Sequence, residues 1–310
     1  VAYTTPSVLL PLEVTMLGNT LAILCAVSWS LSVILLKMSG AQIHPLALNL
    51  IKNVVGLVFL GLSAWIFEGT LHWPERFSDT KWLLLSGFLG IGLADGLILK
   101  AMQHLRASHV AILECLFAPF VIILSVFLLQ ERPTPLMLIG GALIIGALFC
   151  VSHPEEDRDK GPGMSQRTQG IILMAIGLFL IAYGIVIVKP LFDTVPLFSL
   201  VTIRMLAGVL GSVLFYGFLQ DRRVKLVAFL RAPNKSVLFA ACFLSSYLSI
   251  LLWVAGYKYL QATVAALLNQ TSTVFTVIFA VIFLKEKFTR AKLIATGLAM
   301  SGVALITLGT

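Results

Sequence analysis

ASHVAILECLFAPFVIILSVFLLQ, residues 107–130, followed by ERPTPLMLIGGALIIGALFCV, residues 131–151, decides how this chain folds. In the first run only Ser108, His109, Glu114, Ser125 and Gln130 interrupt the apolar residues. A helix of that length rises about 36 Å, enough for a hydrocarbon core of about 30 Å. A membrane strand would need only about 9–11 residues of strict alternation, and none is present here. In lipid a helix also satisfies its backbone groups within one segment. Pro133 and the charges of Glu131 and Arg132 mark a turn between two such helices.

The same reading extends over the whole chain. Apolar runs predict ten helices, at 17–36, 46–67, 82–101, 107–130, 135–151, 169–188, 196–219, 237–256, 262–284 and 291–308. Of the 310 residues, 59% are apolar and 12% charged, with a mean hydropathy of +0.99. That composition excludes a soluble domain and predicts an all-α polytopic membrane protein. The formal charge of +8 does not imply nucleic acid, because the basic residues are scattered through short connectors. Cys25, Cys115, Cys150 and Cys242 lie inside apolar runs, at spacings that fit neither a disulfide framework nor a zinc motif. Phosphate loops, nucleophile elbows and H-E-x-x-H patterns are missing, so no metal, cofactor or enzymatic activity is expected.

The connector SHPEEDRDKGPGMSQR at 152–167 divides the chain nearly in half, and the halves resemble each other. A shift of 152 superposes Gly18 on Gly170, Lys37 on Lys189, Lys52 on Arg204 and Gly56 on Gly208. A shift of 155 superposes Ala107 on Ala262, Glu114 on Asn269, Phe120 on Phe275 and Glu131 on Glu286. The expected organisation is a five-helix repeat over 17–151, a linker over 152–168 and a second repeat over 169–308. Five is odd, so the second copy enters the membrane from the opposite face. Inverted repeats of this kind place a substrate site near the bilayer midplane between the halves.

These segments, with Trp29, Ser30 and Lys37 in the first helix and the paired turns at Glu131 and Glu286, resemble EamA-type permeases of the drug/metabolite transporter superfamily. The resemblance spans about residues 18–308. It implies a carrier of amino acids, nucleotide precursors, other metabolites or drugs, working mainly outward. Two positions depart from the family pattern. Lys52 stands where arginine is usual, and the second half lacks a proline corresponding to Pro119, which would straighten the ninth helix.

The deep polar residues carry the functional expectation. Unpaired, Lys52, Asp95, Glu114 and Arg204 together would cost roughly 10–14 kcal/mol near the bilayer centre, so they require partners or a wet cavity. Lys52, Asp95 and Glu114 share one depth, which predicts an ion pair between Lys52 and Asp95 or Glu114. In the mirrored copy the cation Arg204 is kept, while the acid is replaced by Asn269. Arg204 is therefore a candidate for holding a substrate anion, such as an amino-acid carboxylate; pairing with Asp95 or Glu114 across the repeat interface is the alternative. Asn49, Lys52 and Asn53 form a polar stripe on one helix face, pointing to a polar cavity. Asn269, Gln270, Thr273 and Thr276 provide a second polar face, with helix–helix hydrogen bonding as the alternative. Trp29, Tyr183, Tyr247 and Trp253 lie within helices and either line a cavity or pack. Glu114 is also the candidate for carrying a proton. Gly92 with Gly96, and Gly297 with Ser301, are small pairs expected to let helices approach closely.

Connectors after the odd-numbered helices hold fourteen Lys and Arg, against five on the opposite face. The positive-inside rule puts the richer face in the cytoplasm and both termini outside. The family resemblance implies cytoplasmic termini instead. The reading as a whole is a secondary transporter or facilitator in a bacterial inner membrane. It moves a small polar or amphipathic metabolite by alternating access, with the lipid bilayer and that solute as partners. The rival readings are a membrane enzyme acting on a lipid-linked substrate and a non-transporting receptor.

Overall fold

The computed structural model describes residues 12–40, 43–129, 134–152, 164–192, 194–220, 234–259, 262–286 and 289–308. Glu131, most of the linker and the basic connector at 221–233 lie outside them. Among the described residues the regular structure is helical, without strands. The helices are α1 (Leu12–Gly40), α2 (Pro45–Glu68), α3 (Phe77–His104), α4 (Ala107–Glu114 and Phe117–Leu129) and α5 (Pro135–Ser152). There follow α6 (Met164–Val188), α7 (Leu197–Gly217), α8 (Lys235–Tyr259), α9 (Ala262–Leu284) and α10 (Arg290–Leu308). Seven of them, α1 to α4 and α6 to α8, contain spans long and apolar enough to cross a membrane. Among the described residues, α5, α9 and α10 contribute the apolar helical segments Leu138–Ala147, Leu268–Leu284 and Leu293–Leu305. The chain is an integral, multi-pass membrane protein.

Local chemistry explains where the helices start and bend. Pro45 opens α2, where its missing N–H costs nothing, and His44 accepts the Leu46 N–H at 3.3 Å. Gly69, just beyond the end of α2, takes a positive φ of +74, which favours glycine. In α4, Pro119 has no N–H for the Cys115 carbonyl four residues earlier, and the helix breaks into a turn at Cys115–Leu116. No such break occurs in α9, which runs unbroken from Ala262 to Leu284.

Two helix starts are capped from other helices. The α4 N-terminus has no side-chain cap of its own. The carboxylate of Glu286, just past α9, accepts from Ala107 N–H at 2.8 Å and from the Ser108 hydroxyl at 2.5 Å. Pro196 cannot cap α7 either. Glu68, at the end of α2, accepts from the Phe198 and Ser199 N–H groups at 2.8 and 2.9 Å and from the Ser199 hydroxyl at 2.6 Å. A carboxylate suits the positive end of a helix, so each cap also joins two helices.

Several helix crossings among the described residues are tight enough to exclude a side chain. A Cβ on Gly56 of α2 would lie 2.5 Å from the Ser246 carbonyl oxygen of α8, and one on Gly208 of α7 would lie 2.5 Å from Ile91 Cγ2 of α3. Gly92 is packed against Gly208 and Gly211, and Gly96 against Leu46, as small-residue packing requires. The expectation for α10 needs correction. Nothing lies within 4 Å of a Cβ on Gly297, and Ser301 is exposed. Gly302 makes the close approach instead, against the Gly140 carbonyl of α5. Rotation by one residue turns the Gly297 face outward, among exposed Leu293 and Ile294.

Candidate functional site

Both α3 and α8 contain a π-helical segment, Phe88–Ala94 and Leu244–Leu248. A π turn interrupts the regular backbone ladder and leaves carbonyls available to other donors. In α3 those carbonyls are met from α2. Asn49 Nδ2 donates to the Ile91 and Gly92 carbonyls at 3.3 and 2.9 Å, and Asn53 Nδ2 donates to Ile91 at 3.3 Å. Both amides also reach the Ser212 hydroxyl of α7, at 3.1 and 3.0 Å. The α2 stripe is thus turned toward backbone that needs donors, and Asn49 and Asn53 are completely buried.

Lys52, on the same stripe, forms the ion pair among the described residues. Its Nζ lies 2.5 Å from Asp95 Oδ2 and also donates to Asn53 Oδ1 at 2.9 Å and to the Ser246 hydroxyl at 3.3 Å. Three polar contacts on a residue only 5% exposed offset the cost of its burial. Of the two acids expected at this depth, Asp95 is the partner and Glu114 is not.

Asp95 has a second role, because it lines a cavity of about 180 Å³ between the helices. Trp29, Glu114, Arg204, Asn269 and Gln270 share that cavity with it. Trp29 Nε1 donates to Glu114 Oε1 at 3.0 Å, so the cavity wall joins α1 to α4. Both side-chain polar atoms of Asn269 are buried without a hydrogen-bond partner. Arg204 is 4% exposed, its Nε has no partner, and no carboxylate stands within ion-pair distance of it among the described residues. A buried guanidinium is strongly disfavoured unless an anion meets it. Apolar walls come from Phe117, Ile181, Ile250 and Trp253, which suits a small solute with an apolar part.

Other expected positions lie elsewhere. Tyr247 is in the packing between α2 and α8: its hydroxyl is 2.9 Å from that of Ser63, and its ring lies tilted against those of Phe59 and Phe243. Tyr183 packs in the core on α6 and does not line the cavity. Thr273, completely buried, donates to the Ala111 carbonyl at 3.2 Å and so binds α9 to α4. Lys37 of α1 donates to the Leu105 carbonyl just past α3.

Ser245 and Ser249 of α8 were not among the expected residues, yet both line the cavity, and Ser249 bonds Ser28 of α1 at 3.0 Å. The internal repeat held the signal. The shift of 155 carries Gly90, Asp95 and Ile98 onto Ser245, Ile250 and Trp253, and all six line the cavity.

Comparison with known proteins agrees with this architecture. A segment of 155 residues is 27% identical to the uncharacterized transporter YvbV of Bacillus subtilis, covering 48% of each chain. Over 285 residues the chain is 24% identical to the uncharacterized transporter sll1164 of Synechocystis sp., covering 84% of this chain and 76% of that one. The first match thus spans about half the length of its relative. A solved crystal structure shares the fold at a TM-score of 0.55 and 16% identity, covering 96% of this chain and 98% of that one. The model of the EamA-like transporter family matches residues 16–153 and again 168–308, and the chain belongs to that family.

Proposed function

We propose that this membrane transporter carries a small metabolite bearing a carboxylate, an amino acid or a compound of similar size, out of a bacterial cell by alternating access. The observation that carries this reading is Arg204: buried, with no carboxylate at ion-pair distance among the described residues, and on the wall of a cavity that also holds Glu114 and Asn269. A planar guanidinium matches a carboxylate with two parallel hydrogen bonds, which makes it selective for that group. Trp29, Trp253 and Phe117 offer faces for the remainder of the solute.

The proposed framework is ten crossings in two inverted repeats, 17–151 and 169–308, joined by the linker at 152–168. The matching close approaches of Gly56 to Ser246 and of Gly208 to Ile91 support it, because both pairs are related by the repeat shifts. In the conformation described, the first half of α4 is bound to α9 through Glu286, Thr273 and the 3.3 Å contact of Cys115 with Thr273. Beyond the break, α4 packs on α6, with the Phe120 and Phe179 rings 5.6 Å apart. One end of the α4–α9 seam is therefore latched, and the break at Pro119 is the point at which α4 leaves it. Glu114 is the proposed proton carrier: buried, on the cavity wall, and with no cation at ion-pair distance among the described residues.

The test is a competition screen in proteoliposomes with amino acids, nucleosides and quaternary amines, run on the wild type and on Arg204→Ala. Carboxylate-bearing compounds are expected to compete on the wild type and to lose that ability on the variant. Competition confined to quaternary amines would overturn the reading.

A further inference from the structure

We infer that the carried solute supplies Arg204 with the carboxylate that Asp95 supplies to Lys52, and that Ile250 marks the place in the second repeat where the protein leaves this group out. The inference deepens the transport reading and rests on it.

The first support is register. The shift of 152 places Lys52 on Arg204, and the shift of 155 places Asp95 on Ile250. A sequence shift alone would be weak, but the packing repeats it. Gly56 meets Ser246 just as Gly208 meets Ile91, and these four residues are related by the same two shifts. Burial follows the register as well: Leu83 and Leu238 are 0% and 1% exposed, and Ala94 and Ser249 are 0% and 2% exposed. Helices α2 and α3 thus present Lys52 and Asp95 as α7 and α8 present Arg204 and Ile250.

The second support is chemistry. In the first repeat the cation is matched internally, with Nζ 2.5 Å from Asp95. In the second, Arg204 faces the same cavity as Ile250, whose side chain has no group to pair with it. The neighbouring acids are already engaged, Asp95 by Lys52 and Glu114 by the Trp29 indole. Had position 250 kept an acid, Arg204 would be neutralised by the protein and the cavity would hold no anion. An aliphatic residue there leaves the cation available and offers an apolar surface to the rest of the solute. The solute class is accordingly a small carboxylate with an apolar body, and the matching amide or ester is rejected. Position 250 therefore determines specificity without being the group that binds.

The experiment uses the full chain, purified in detergent, with phenylglyoxal modification of Arg204 followed by peptide mass spectrometry. Exposed Arg290, at the start of α10, serves as the internal reference. Benzoate is expected to slow modification of Arg204 about tenfold, as a charged hydrogen-bonded partner would, while benzamide leaves it unchanged. Ile250→Asp is expected to slow modification by a similar factor without any additive and to remove the benzoate effect, whereas Ile250→Asn labels like the wild type. Equal protection by benzoate and benzamide, equal labelling of the Asp and Asn variants, or no labelling of wild-type Arg204 would each overturn the inference. If Ile250→Asp does not fold, the comparison of benzoate with benzamide on the wild type decides. None of these readouts requires transport, so a protein that binds benzoate but moves no solute would count against the transport reading alone.

Discussion

Lys52 Nζ and Asp95 Oδ2 stand 2.5 Å apart, and Asp95 lines the same cavity as Arg204, with which it forms no ion pair. The pair is nearly enclosed, with side-chain exposures of 6% and 15%. Removing one partner leaves a buried charge uncompensated. Lys52→Met is expected to lower stability by about 3–5 kcal/mol, and Lys52→Met with Asp95→Asn by less than Lys52→Met alone. Thermal unfolding in detergent measures both, and an additive double variant would contradict the pair.

Glu286 is expected to hold one end of the α4–α9 seam shut. Glu286→Ala should cost about 0.5–2 kcal/mol, the usual range for a lost helix cap. It should also raise the reactivity of a cysteine placed at Ser108 toward a membrane-impermeant maleimide. A stability loss with unchanged reactivity would make Glu286 a cap without a gating role.

Gly56 and Gly297 make a contrasting pair. Gly56→Ala must push α2 away from the Ser246 backbone and should cost about 1–3 kcal/mol. Gly297→Ala has open space and should leave the melting temperature unchanged or slightly raised, since alanine favours helix. Equal effects at the two positions would show that the α2–α8 crossing is looser than described.

Glu114 is predicted to couple transport to protons. Uptake by wild-type proteoliposomes should respond to an imposed pH gradient, and uptake by Glu114→Gln should not. Trp29→Phe, which removes the indole N–H donor, should change the size of the response without abolishing it. A wild type indifferent to the gradient removes the proton role.

The connector charges predict that residues 222–235 face the cytoplasm. A cysteine introduced at Lys225 should then be protected from an impermeant maleimide in intact cells and label only after permeabilisation. Immediate labelling would favour cytoplasmic termini.

The helices were legible because apolar runs far longer than a strand have one stable form in lipid. That Lys52 meets a deep acid was legible from depth, since equal rise along antiparallel neighbours brings deep charges level, but depth did not choose between Asp95 and Glu114. What escaped depends on rotation and on partners distant in sequence. Gly297 and Gly302 are both small residues on α10, and spacing does not say which one faces α5. The π segments carry no residue signature, so the carbonyls that engage Asn49 and Asn53 were invisible, and those amides read as cavity polarity. Glu286 was recognised as the repeat partner of Glu131, but its cap on Ala107, 179 residues away, required the fold.

The central claim is that Arg204 binds a carboxylate on the carried solute. It is tested most directly by comparing uptake of a carboxylate hit and of its amide into proteoliposomes, with wild type and Arg204→Gln side by side. The wild type should prefer the carboxylate by about tenfold or more, and the variant should lose that preference through slower uptake of the carboxylate alone. Undiminished affinity of Arg204→Gln for the carboxylate would contradict the account.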